Sequence, residues 1–184
     1  MDITTLLPGA KYRIAAESVI AAPPEVVWKE LVELPMSALP VGFFLTLLRH
    51  FPDVAAGNEE RTQGTTTFLE ATPIPVVLED EPRLIVSAGP SQAWKLLGGT
   101  AGPGLTAAQF VGWDEPGWIK VAMQFELTDL GSERGTRLAT ETRIVATDAA
   151  TARVFAPYWW MIRAGSALIR REVVAKVKKR AETR

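Results

Sequence analysis

The sequence predicts an α+β fold: a curved antiparallel β-sheet wrapped around one long C-terminal α-helix, with two short helices between the first two strands. Three observations predict it. A strand-like run, Tyr12–Ile20, passes at once into a short helical segment over 23–34. Strand-like runs then follow one another from 65 to 147 with no long helix between them. The chain closes on a helical pattern from 148 to about 182. That order gives the last helix one place to bury its apolar stripe, which is a face of the sheet.

Residues 1–10 read as a loose arm that ends in the turn pair Pro8-Gly9. Tyr12–Ile20 alternates imperfectly between apolar and polar residues, as a strand does. In segment 23–34 proline is tolerated in the first helical turn, and Glu25 suits the positive helix end. Val26, Val27, Trp28, Leu31 and Leu34 give it an apolar side. A second helix is expected over 36–51, crowded with Phe43, Phe44, Leu45, Leu47, Leu48 and Phe51. So apolar a segment must cover something.

The strands come next. Segment 65–71 is rich in strand formers, and 74–79 with 83–88 reads as a hairpin around Asp80-Glu81-Pro82. Segment 89–104 holds five Gly and two Pro and is expected to be a long loop, with a short strand at Ala93-Trp94-Lys95-Leu96. Segments 107–113 and 118–129 read as a further hairpin, and 135–147 as the last strand. In that strand Leu138, Thr140, Thr142 and Ile144 alternate with Arg137, Ala139, Glu141, Arg143 and Val145, which suits a sheet with one wet face. The last helix has its cap in Thr147 or Asp148. Ala152, Phe155, Trp159, Ile162, Ser166, Ile169, Val173 and Val177 form its sheet-facing stripe. Pro157 lies inside the pattern, so a kink or broken turn is expected over 153–157.

Composition bounds the function. The 184 residues suffice for one domain with a buried core, read as spanning 1–184. Apolar residues make up 47% and charged residues 22%, as in an ordinary globular chain. A net charge of −1 does not suit a nucleic-acid binder. Cys is absent, which excludes thiol nucleophiles and thiolate metal sites and suits a reducing cytoplasm. No signal-peptide pattern occupies 1–15, and no apolar run is long enough to span a membrane. Six Trp must either fill a large core or line a pocket.

Two stretches carry a resemblance. Ser18-Val19-Ile20-Ala21-Ala22-Pro23-Pro24-Glu25-Val26-Val27-Trp28 resembles the opening of the START-like superfamily, also called SRPBCC, in which an apolar strand leads into a Pro-x-x-Val-Trp helix. The second stretch is 137–144 with the closing helix, whose run 158–172 resembles uncharacterised bacterial members. The resemblance covers nearly the whole chain through its strand order. Its motifs are packing elements, which specify fold better than function. It implies a helix-grip fold whose cavity, between sheet and C-terminal helix, holds lipids, sterols, polyketides or plant hormones in relatives. The expected function is therefore non-covalent binding or transport of an apolar or amphipathic small molecule. The alternatives are a polyketide cyclase or dehydrase, and a protein-interaction module without a ligand.

The expected ligand-binding set is Phe43, Phe44, Leu47, Phe51, Trp94, Phe110, Met123, Phe125, Tyr158, Trp159, Ile162 and Arg163. The helix over 36–51 acts as lid, Trp94, Phe110, Met123, Phe125 and Trp159 as walls, and Arg163 as polar anchor. Arg163 and Arg170 stand seven residues apart beside the apolar stripe. Either reaches a ligand carboxylate or enolate, or both reach solvent or pair with a carboxylate such as Glu141. Tyr158 and Tyr12 offer phenols. Glu70, Glu126 and Glu141 sit on strands, with Glu141 expected on the wet face. No catalytic residue stands out. His50 is the only histidine and reads as a helix-end residue, and one His without Cys makes no typical zinc site. The glycines over 98–104 lack the Gly-Lys-Ser/Thr ending of a phosphate loop. No metal or organic cofactor is expected. Segment 163–184 holds eight basic residues against two acidic ones, so a transient contact with an anionic membrane surface is the most that is expected of a membrane. The oligomeric expectation is a monomer or weak dimer.

Overall fold

The structure, a computed structural model, describes residues 1–40, 66–92, 94–95 and 102–184. Its elements are α1 (Ile3–Leu6), β1 (Tyr12–Ile20), α2 (Pro24–Val32), a 3-10 turn (Met36–Ala38), α3 (Phe68–Ala71), β2 (Val76–Asp80), β3 (Leu84–Ser91), α4 (Ala107–Gly112), β4 (Ile119–Asp129), β5 (Thr136–Ala146) and α5 (Ala149–Glu182). The α+β expectation holds. The five strands form one antiparallel sheet in the order β1-β5-β4-β3-β2, and α5 packs across one of its faces. Among the described residues no helix is long and apolar enough to cross a membrane.

Register fixes the two faces, because side chains alternate along each strand. On the inner face, toward α5, lie Tyr12, Ile14 and Ala16 of β1, Ile85 and Ser87 of β3, Val121, Met123 and Phe125 of β4, and Thr140, Thr142 and Ile144 of β5. The outer face carries Leu84, Val86, Ala88 and Ala122 beside the charged side chains of β5.

α5 follows β1 in the same direction. At the start of β1, Tyr12 packs edge-on against Phe155 with ring centroids 5.1 Å apart, and Trp159 stands 5.3 Å away. At its end, Lys178 Nζ donates to the Val19 carbonyl at 2.7 Å and Glu182 accepts the Ala21 N–H at 2.9 Å. Asp148 caps the helix by accepting from Thr151 N at 2.8 Å, and also accepts from Gly117 N at 2.7 Å. Of the expected kink or broken turn near 153–157, the break is absent: the helix runs unbroken through Pro157. Near the other end, the fully buried Glu30 of α2 pairs with Arg180 and Arg184, each at 2.5 Å. Gly135 enters β5 with φ +73°, and a Cβ there would meet the Ile20 carbonyl oxygen at 2.1 Å. Only glycine allows the β4–β5 turn to close against the end of β1.

Three sequence expectations are corrected. Residues 1–10 are not a loose arm. Asp2 caps α1, and Ile3, Leu6 and Leu7 are buried on the outer face. Ile3 N donates to Gln124 Oε1 at 2.8 Å, and Arg143 reaches the Leu7 carbonyl at 3.3 Å. Segment 65–71 yields helix α3 instead of a strand over 68–71, and 107–113 yields helix α4. Both open on capping boxes, Thr67 with Glu70 and Thr106 with Gln109, which satisfy the free backbone N–H groups of a first turn. The expected lid helix begins with the 3-10 turn, and its residues from 41 onward lie outside the described residues. His50 and residues 98–101 lie outside them too.

Two stability measurements check these contacts. Glu30→Gln leaves Arg180 and Arg184 without their carboxylate and should lower unfolding free energy by about 1–3 kcal/mol in a denaturant titration. Hydrogen bonds from Thr151 and Gly117 hold the Asp148 carboxyl far below its ordinary 3.8. A depressed carboxylate stabilises the fold above its unfolded pKa and loses that contribution as pH falls toward the folded value. Asp148→Asn keeps a capping side chain but not the charge. Thermal melts should show the variant below the parent at neutral pH, with the gap closing progressively below about pH 4.

Candidate functional site

The middle of the inner face carries hydroxyls in rows that are otherwise apolar. Ser87, Met123, Thr142 and Ile14 form one cross-strand row, and Ile85, Phe125, Thr140 and Ala16 form the next. Ser87, Thr140 and Thr142 are buried, and their side-chain oxygens have no hydrogen-bond partner among the described residues. Tyr12 Oη, one row further along, is unpartnered as well. A buried polar group without a partner costs about 1–3 kcal/mol, so four in one region is a structural expense that packing alone does not explain.

Arg170 sits over this region from α5. It is only 8% exposed, and its Nη1 donates to Met123 Sδ at 3.4 Å. Met123 lies between Ser87 and Thr142 in its row, with strands about 4.8 Å apart, so the guanidinium stands over the middle of the sheet. Nε has no partner, and among the described residues no carboxylate pairs with Arg170. Burial pushes its pKa down to about 10, which leaves the guanidinium charged at neutral pH. The neighbouring rows and helix residues are apolar: Phe125, Ile169 and Val173 toward one end, and Val121, Ile144 and Trp159 toward the other, with Ile14 in the row of Met123 itself.

Arg163 does not share this position. Seven residues bring a helix back to within about 20° of the same direction, so Arg163 and Arg170 point nearly the same way. Yet Arg163 is exposed, with its guanidinium 3.8 Å from the Trp160 ring centroid. The difference reports how closely α5 is covered along its length. Phe155 and Trp159 are buried at one end, and Arg170, Val173, Val174 and Val177 at the other. Between them Ile162, Gly165, Ser166 and Ile169 are only partly buried. α5 is docked by two ends, and its midsection is less tightly covered.

The other expected site residues divide. Met123, Phe125 and Trp159 are on the inner face, and Trp94, Tyr158 and Ile162 pack half-buried at the Tyr12 end. Phe110 is corrected: it belongs to α4, is fully buried on the outer face against Leu84 and Val86, and forms no wall beneath α5. Phe43, Phe44, Leu47 and Phe51 lie outside the described residues. Arg163, expected as the polar anchor, is exposed, and Arg170 is the arginine that reaches the inner face. The inner-face hydroxyls were missed, although Thr140 and Thr142 alternate on the uncharged face of their strand.

A depression of about 290 Å³ opens on the outer face, where Ala15 and Ala139 leave the sheet bare between Glu17, Gln124, Glu126, Arg137 and Glu141. Glu17, Arg137 and Glu141 are held in ion pairs, and Glu126 accepts from Gln124. Arg137 binds Glu17 at 2.5 Å, and Glu141 accepts from Arg13 at 2.6 Å and Arg143 at 2.9 Å. Burial raises the Glu141 pKa, but the two guanidinium groups outweigh it and the net shift is downward. Glu141 thus lies on the outer face, committed to ion pairs, and Glu70 serves the α3 capping box. These are structural contacts.

No family model matches this chain, and no curated protein matches it. Among solved structures it is similar to the crystal structure of TTHA0849 from Thermus thermophilus, at 11% identity and a TM-score of 0.35 over 94% of this chain and 98% of that one.

The adjacent pair Trp159 and Trp160 tests the placement of α5. Trp159→Ala should cost about 3–5 kcal/mol of unfolding free energy as a buried aromatic truncation. Trp160→Ala, which loses only an exposed stack on Arg163, should cost about 1 kcal/mol or less. Equal losses in chemical denaturation would mean that the helix is rotated from the position described.

Proposed function

We propose that this chain is a START-like protein that binds, without covalent chemistry, an apolar or amphipathic small molecule between its sheet and α5, and that it works in the cytoplasm. The strand order, the closing helix and the absence of Cys support the family and the compartment. One observation carries the binding reading: a buried guanidinium and several buried hydroxyls, all short of partners, are set among apolar walls beneath the least covered stretch of α5. Small-molecule sites have that composition, a mostly apolar lining with a few convergent polar groups. A ligand that supplied acceptors and donors there would remove the cost of leaving those groups unpaired.

The inner rows also favour binding over catalysis. Among the described residues they present hydroxyls, a phenol and a guanidinium, with no carboxylate or imidazole between Tyr12 and Phe125. Such groups recognise polar atoms, but they offer no base that titrates near neutral pH.

Native mass spectrometry of the full chain from a heterologous host tests this reading. A population heavier than the bare chain by one small molecule is expected, with the excess mass recovered in an organic extract. The extracted protein should melt at a lower temperature than the loaded one, because a ligand that binds only the folded state stabilises it by mass action. A bare mass, together with no stabilisation by any alkyl compound, would overturn the reading.

A further inference from the structure

The unpaired charge of Arg170 says more about the ligand than the apolar walls do. A guanidinium buried without a counter-ion is costly, and folded proteins pair such charges or bind anions to them. Nη1 is engaged with Met123 Sδ, which leaves the edge formed by Nε and Nη2, whose Nε has no partner among the described residues. That edge is the one that grips two coplanar oxygens side-on. The hydroxyls of Ser87 and Thr142 flank Met123 in the same row and add donors to whichever oxygens sit there. The other buried cations among the described residues, Lys120 and Arg143, are on the outer face, so the described residues supply one buried positive charge to this region.

We propose that the ligand of this site is an amphipathic monocarboxylate. Its carboxylate is held side-on by Arg170 and hydrogen-bonded by Thr142 and Ser87, and its apolar body runs beneath the midsection of α5 toward Tyr12 and Trp159. A single negative charge and two coplanar acceptors match the single charge and the fork. This inference rests on the binding reading and narrows it to one head group.

The test uses the full chain, stripped of bound lipid and titrated calorimetrically with dodecanoate, dodecanol and dodecyl phosphate. The parent should bind dodecanoate at least about tenfold more tightly than dodecanol, as a site with a buried donor discriminates against a head group that cannot satisfy it. Arg170→Met should bring the acid down to the level of the alcohol. Arg170→Lys, which keeps the charge and loses the fork, should weaken the acid by about tenfold. Ligand-free Arg170→Met should melt at or above the parent, because it relieves a buried unpaired charge. Equal binding of acid and alcohol in parent and variant would overturn the head-group assignment and leave the binding reading standing. Tighter binding of dodecyl phosphate than of dodecanoate would overturn the carboxylate. Loss of alcohol binding together with a lower melting temperature in Arg170→Met would make Arg170 a structural residue and overturn the inference. Failure of all three probes, with no molecule carried through purification, would overturn both readings.

Discussion

β1 sets the line that α5 must follow, and most of the molecule is arranged around that alignment. A helix of 34 residues is about 50 Å long, whereas a strand of nine residues reaches only about 30 Å. The excess is taken up at the ends. Asp148 ties the first turn of the helix to the turn before β4, and Glu30 of α2 receives the last turns through Arg180 and Arg184. Phe155 and Trp159 then close on Tyr12, while Val173, Val174 and Val177 close on the core that includes Ile20 and Leu138. A rod fixed at two ends need not touch what lies beneath its middle, and the partial burial of Ile162, Ser166 and Ile169 falls there.

The inner face is graded to match. Its middle rows add the unpartnered hydroxyls of Ser87, Thr140 and Thr142 to Ile14, Ile85, Met123 and Phe125. Replacing Thr140 and Thr142 by valine-like shapes would suit a core in which helix and sheet met continuously, since the oxygens have no partner there. Arg170 makes the same point more strongly, because a methionine would fit the contact with Met123 without bringing a charge. Unmet polar potential gathered in one region is how a site differs from a core. The outer face shows the contrast: Arg143 is also buried, yet it meets Glu141 and the Leu7 carbonyl.

The main elements were legible because their periodicities are strong. The hairpin around Asp80-Glu81-Pro82 pairs as read, and the alternation in 135–147 and the stripe from Phe155 to Val177 each correspond to an element with the expected face inward. What was misread is short. α3 and α4 span four and six residues, too few to show a helical period, and Phe68 or Val111 reads equally well as strand. Their signals were the end caps, Thr67-x-x-Glu70 and Thr106-x-x-Gln109. α1 carried a similar signal, with Asp2 before Ile3, Leu6 and Leu7 at helical spacing. The choice between Arg163 and Arg170 had no local signal, because the two share a direction on the helix. It was decided by where α5 meets the sheet, which only tertiary structure supplies.

The register of β1 has a consequence for how the chain reaches this fold. Among the described residues β1 lies at the edge of the sheet and pairs only with β5, so Ile20 waits for Thr136 and Tyr12 for Ile144. During synthesis β2, β3 and β4 can zip into a meander while β1, already made, has no partner. Closing so long a loop is entropically demanding, and ladders of this kind form slowly. Until β5 arrives, the apolar residues of β1 stay open to other chains, as exposed strand edges do. The last strand and the last helix are therefore the steps that commit the molecule, and the inner face comes into being only with them.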